Sequence, residues 1–155
     1  MRRVLLACVA LIVTALPTRA EPLKVVASFS ILGDLVHNVG GNSIEVTTLV
    51  GPDSDAHVYA PTPSDAKKVA DAKLVFVNGL GFEGWLPRLV KSAGGKASVV
   101  TATTGIAPLK RGSQADPHAW QSVANAKIYV ANIRDALAAA APADAEAFKS
   151  RAQAY

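Results

Sequence analysis

Lys24-Val-Val-Ala-Ser-Phe29 leads into Ser30-Ile-Leu-Gly-Asp-Leu-Val-His-Asn-Val39, then Gly40-Gly41, then Ile44-Glu-Val-Thr-Thr-Leu-Val50. The first run is short, apolar and rich in valine, as suits a strand buried on both faces. Ser30 is placed to cap a helix through Val39, and Gly40-Gly41 stops it. Ile44 to Val50 alternates as a second strand and ends at Gly51-Pro52-Asp53. A strand, a helix and a strand in close succession form the unit from which parallel sheets are built.

The rest of the chain repeats that alternation. Thr62-Pro63-Ser64-Asp65 reads as N-cap, N1 proline and acidic N3, a capping-box variant opening a helix to about Ala72. Leu74-Val-Phe-Val77 is a third buried strand, ending in Asn78-Gly79. A helix from Glu83 to Ala93 carries Trp85 and Leu89 on one face and is closed by Gly94-Gly95, and Ala97 to Thr101 is a fourth strand. After a loop through Asp116-Pro117, a helix from about Ser122 to Ala140 repeats Ala126, Val130, Ile133 and Leu137 on one face. Pro142 to Tyr155 is a charged helical stretch that reads as the start of a further helix. The expected fold class is therefore α/β, a parallel four-stranded sheet flanked by helices. Ligands of such sheets bind outside the carboxyl ends of the strands. Two loops, 51–62 and 104–121, fall at that edge, and each holds one histidine.

Composition narrows the chemistry. Met1-Arg2-Arg3, an uncharged apolar run from Val4 to Leu16, and Pro17-Thr18-Arg19-Ala20 form the pattern of a secretory leader, residues 1–20, cleaved after Ala20. The run is shorter than the roughly 20 residues that span a bilayer. Leu5-Leu6-Ala7-Cys8 resembles a lipoprotein box, but almost no apolar residue precedes it, and lipidation is not expected. Cys8 is the only cysteine, so the exported part has no thiolate and any metal must use His and carboxylate ligands. Arg2, Arg3 and Arg19 also leave with the leader; taking those three from the 16 Lys and Arg leaves 13 against 12 Asp and Glu. A near-neutral chain without a basic, aromatic-interleaved patch excludes nucleic acid as a partner.

Of the three histidines, His37 lies on the first helix with no partner nearby and reads as a partly exposed helix residue. His57 and His118 lie in the two edge loops, flanked by proline and acidic residues. Imidazole nitrogen suits Zn²⁺ and related ions, although a 61-residue separation has no ligand-spacing signature of its own. Asp116 and Glu83 each have two readings, as acceptors for the second N–H of a ligating imidazole or as charges at helix N-termini. Trp85 and Trp120 read as packing residues. Gly79, Gly81 and Gly84 form a Gly-x-Gly-x-x-Gly after a strand, but Glu83 inside it would repel a pyrophosphate.

Four segments, in order, resemble the zinc/manganese receptors of ABC importers (cluster A-I solute-binding proteins). They are Val25-Val-Ala-Ser-Phe-Ser-Ile-Leu-Gly-Asp34, Asp55-Ala-His-Val-Tyr-Ala-Pro-Thr-Pro-Ser-Asp65, Asn78-Gly-Leu-Gly-Phe-Glu-Gly-Trp-Leu86 and Asp116-Pro-His-Ala-Trp120. The resemblance implies a Rossmann-like or flavodoxin-like N-terminal lobe over residues 21–141, with 142–155 the start of the helix leading to a second lobe. It implies that His57 and His118 are metal ligands for Zn²⁺, with Mn²⁺ the alternative. It further implies a monomeric periplasmic protein, without enzymatic activity, that delivers its ion to a membrane permease. The remaining ligands, a His or Glu and commonly an Asp, would come from the second lobe. Ala56 stands where the family usually has proline, and Gln121-Ser122 where it often has Asp-Pro. The segment 106–115 lacks the histidine-rich loop of many zinc-specific members. Two other functions are separable by experiment: an adhesion or interaction module, and a zinc hydrolase, for which the chain shows neither HExxH nor Ser-His-Asp.

Overall fold

Residues 21–155 are described by a computed structural model, so the expected leader and Cys8 lie outside the described residues. β1 (Leu23–Phe29) is buried from Val25 onward, as its largely apolar run requires. α1 (Ser30–Gly40) returns along the sheet, and β2 (Ile44–Val50) pairs in parallel with β1, Leu23 opposite Ile44 and Phe29 opposite Val50. β3 (Leu74–Val77) joins the other side of β1, and β4 (Ser98–Thr101) joins β3, both parallel. The strand order is β2-β1-β3-β4. The chain thus steps outward to β2, then back past β1 to β3, and that reversal opens a crevice at the carboxyl ends of β1 and β3.

Helices cover the sheet where their apolar faces demand it. α2 (Pro63–Asp71) follows β2, and α3 (Leu86–Ser92) follows β3. α4 (Val123–Ala140) buries Tyr129, Val130, Ile133 and Leu137, while Ala126 is only half-buried. α5 (Ala145–Ala154) packs on α1 and α4 through the fully buried Phe148. Its Arg151 donates to the carbonyls of Val39 and Gly40 at 2.8 and 2.7 Å. No helix among the described residues is long and apolar enough to cross a membrane.

Three local expectations need correction. Phe29, extended and without a side-chain bond, occupies the N-cap of α1, and Ser30 is its first helical residue. α3 begins at Leu86, not Glu83, because Glu83 turns its carboxylate back onto the end of β3. Pro87 then sits in the first turn, where a missing N–H costs nothing. Within the loop after β4, β5 (Lys110–Arg111) and β6 (Gln114–Ala115) form an antiparallel hairpin. Gly112 at φ 65° turns it, and the Gly112-Ser113 pair between them is a two-residue hairpin signal.

The capping box of α2 forms as its residues dictate. Asp65 N–H donates to the Thr62 hydroxyl at 3.3 Å and Thr62 N–H to the Asp65 carboxylate at 2.9 Å. That carboxylate, 2% exposed, also accepts from the hydroxyls of Thr62 and Tyr59 and from Lys68. Burial alone would raise its pKa, but these bonds outweigh burial and hold the carboxyl down to about 2, from an ordinary 3.8. A folded pKa below the unfolded one stabilises above the unfolded value, here by about 2 kcal/mol. The contribution should be fully present above about pH 4 and vanish as the pH falls toward about 2. Asp65→Asn should flatten the acid limb of a stability-versus-pH profile measured by urea unfolding.

Candidate metal centre

β2 and β4 deliver their following loops to the same edge of the sheet, and each loop presents its histidine by the same local device. Asp55 Oδ1 accepts the backbone N–H of His57 at 2.8 Å, and Asp116 Oδ1 accepts that of His118 at 2.9 Å. Aspartate makes such turns readily because its side chain bonds the backbone two residues on. The structure brings the two rings together, with the Nε2 atoms 3.2 Å apart and the ring planes inclined at 64°. Two nitrogens 3.2 Å apart, each about 2.1 Å from a shared ion, subtend roughly 100° at it. That angle lies between octahedral and tetrahedral, so the separation is compatible with one transition-metal ion bound by both nitrogens.

The tautomer is set on one side. His118 Nδ1 lies 2.7 Å from Asp116 Oδ1, and an Nδ1–H donated there leaves the Nε2 lone pair facing His57. The backbone N–H of His118, and then its ring, hold the Asp116 carboxyl below the usual carboxylate range and keep it a charged acceptor. Asp116 therefore takes the imidazole-supporting reading. Glu83 takes neither reading. Buried beneath the site, it accepts from the Ser28 hydroxyl at 2.6 Å, from Asn78 N–H at 2.6 Å and from Gly79 N–H at 3.1 Å. Those N–H groups are the ones a phosphate in the Gly79-x-Gly81-x-x-Gly84 loop would need, so the nucleotide reading fails. Gly79, at φ 85°, is required there: a Cβ would lie 2.6 Å from Thr101 Cγ2.

An aromatic floor underlies the histidines. Phe82 stacks edge-on to His57 at 4.5 Å and to His118 at 6.0 Å, and Trp120 lies 5.3 Å from His118. Phe29 backs both aromatics at 5.0 and 4.8 Å. The site stays open to solvent: His57 is exposed and His118 half-buried. Among the described residues no group of three or more His, Cys, Asp or Glu could hold a metal ion. The arrangement is two donors where a closed site wants about four. His37 is exposed on α1, away from this edge, as expected.

Sequence reasoning missed the polar scaffold beneath. Asn78, fully buried, donates its amide to the carbonyls of Gly79 and Pro117 and accepts from the Tyr129 hydroxyl. Burial, and then the Glu83 charge, raise the pKa of that hydroxyl and keep it a neutral donor. Trp85 packs against Tyr59 as expected of a packing residue, and its indole also donates to the Ala56 carbonyl at 2.8 Å. No signal within the local sequence marks these partners.

A parallel α/β lobe whose loops gather two imidazoles at the crevice beside its reversal point has the plan of a ligand-receptor lobe. Residues 25–155 match the family model of ZnuA, described as zinc-uptake complex component A, periplasmic, and the chain belongs to that family. It is 44% identical over 136 residues to a manganese-binding lipoprotein, MntA, of Halalkalibacterium halodurans, covering 87% of this chain and 45% of that one. It is 40% identical over 141 residues to the iron-binding protein YfeA of Yersinia pestis, covering 88% and 45%. Among solved structures, a manganese-bound periplasmic metal-binding protein from Candidatus Liberibacter asiaticus superposes with a TM-score of 0.81 at 37% identity, covering 87% and 52%. Zinc-bound AdcA of Streptococcus pneumoniae superposes at 0.78 with 30% identity, covering 87% and 30%. The chain spans about half the length, or less, of these relatives.

Proposed function

We propose that this chain is the N-terminal half of a periplasmic receptor that captures a divalent transition metal and hands it to an ABC import permease. His57 and His118 supply two of the ligands. The observation that carries this reading is the 3.2 Å approach of two Nε2 atoms from loops 61 residues apart, with one ring oriented by a carboxylate. The open outer side suits completion of the coordination sphere by a second lobe, and α5 is the start of the helix toward it. Capture and release make no covalent bond, so the protein acts as a carrier and not as a hydrolase.

Manganese is the cargo this reading favours over zinc. The relatives of 44% and 40% identity carry manganese and iron in their names, while the zinc-bound structure is 30% identical. The segment 106–115 has no histidine. Zn²⁺ should nevertheless bind the more tightly in a direct titration, because divalent-ion affinity for an N/O donor set rises from Mn²⁺ toward the end of the series. Uptake therefore decides cargo where affinity does not. In cells depleted of metal, the intact protein should restore manganese accumulation; restoration of zinc alone would reverse the cargo assignment. Capture should weaken on acidification, since a protonated ring cannot ligate.

A further inference from the structure

The peptide bond entering each histidine is gripped at both of its polar atoms. At His57, Asp55 Oδ1 takes the N–H at 2.8 Å while Trp85 Nε1 donates to the carbonyl of Ala56 at 2.8 Å. At His118, Asp116 Oδ1 takes the N–H at 2.9 Å while Asn78 Nδ2 donates to the carbonyl of Pro117 at 2.9 Å. Two loops far apart in sequence thus share one scheme, and both carbonyl-side donors come from the single turn 78–85 after β3. Trp85 is 5% exposed and Asn78 not at all, so each donor needs an acceptor somewhere. Both donors reach the carbonyl immediately before a histidine, a choice that satisfying buried donors does not require.

We infer that Trp85 and Asn78 are positioning residues for the metal, a role that rests on His57 and His118 being its ligands. With the entering peptide fixed at both ends, each histidine Cα is held and only the side-chain torsions stay free. Phe82, from the same turn, limits those torsions by contact with both rings. The turn is itself held rigid: Glu83 closes it on the N–H groups of Asn78 and Gly79, and Gly79, Leu80 and Gly81 all lie at positive φ. One rigid turn therefore sets the separation of the two Nε2 atoms before any ion arrives. Preorganisation of this kind raises affinity by removing an ordering cost from the binding step.

The test uses the intact protein and Co²⁺, whose visible absorption reports ligand geometry, at a temperature well below each variant's metal-free melting point. Trp85→Phe keeps an aromatic ring and removes the N–H. It should weaken Co²⁺ binding roughly 10- to 100-fold, as supporting partners of ligands do, and alter the visible band. Asn78→Asp, which turns an acceptor toward the Pro117 carbonyl, should do the same; if it fails to fold, Trp85→Phe decides alone. A Trp85→Phe protein with unchanged Co²⁺ affinity and spectrum but a lowered melting point would make the bond a fold contact only and overturn the inference. Wild-type protein that takes up no Co²⁺ would instead overturn the ligand reading beneath it.

Discussion

Replacing His118 with alanine is expected to weaken Mn²⁺ and Zn²⁺ binding by roughly 100-fold or more, read by calorimetric titration of the intact protein. The magnitude follows from sharing the ~10–16 kcal/mol of a four-ligand zinc site among its donors. His57→Ala should lose a similar amount, since the two Nε2 atoms converge on one point. The double variant should lose little beyond the larger single loss if both act as one half-site, because groups that act as a unit are not additive. The same pair of variants separates the proposed function from an adhesion role, in which partner binding survives loss of both rings. Metal-loaded protein that hydrolyses substrate would favour the zinc-hydrolase reading. Neither imidazole belongs to the buried core, so metal-free stability should change by less than about 1 kcal/mol.

Glu83→Ala is expected to have the opposite profile, a large loss of stability before any question of metal arises. Its carboxylate, 7% exposed, satisfies Ser28 Oγ and the N–H groups of Asn78 and Gly79. No buried side-chain nitrogen or oxygen among the described residues lacks a partner, so no nearby group stands ready to replace it. Stranding three donors, two of them buried, at about 1–3 kcal/mol each with partial relaxation, should cost about 4 kcal/mol in urea unfolding. Glu83→Gln should cost about half as much, because one amide oxygen still accepts while the NH₂ opposes a backbone donor. A loss below about 1 kcal/mol for Glu83→Ala would mean that water replaces the carboxylate and that the turn is not buried in solution.

The sequence was most readable where its signals are local. Thr62, Pro63 and Asp65 lie within one turn of one another, and the capping box they announce forms with both of its bonds. The Val25-Val-Ala27 stretch of β1 and Leu74-Val-Phe-Val77 are strands because they are short, apolar and β-branched, and their order is parallel because helices separate them. α3 starts three residues later than its sequence suggests because Glu83, a good helix former, is committed to N–H groups four and five residues earlier. Tertiary bonding overrode propensity there. The edge loops were found from the rule that ligands gather at strand carboxyl ends, and the family resemblance then singled out His57 and His118. Their meeting at 3.2 Å depends on Trp85 reaching Ala56 across 29 residues and Asn78 reaching Pro117 across 39. Those contacts exist only once the sheet has formed, so nothing in the neighbouring sequence announces them.

The most direct test is a crystal structure of the intact protein loaded with Mn²⁺, with the ion located by its anomalous signal. One peak about 2.2 Å from both His57 Nε2 and His118 Nε2, with further ligands arriving from the open side, is the expected result. A peak bound by only one of these rings, or held by other residues altogether, would contradict the shared site.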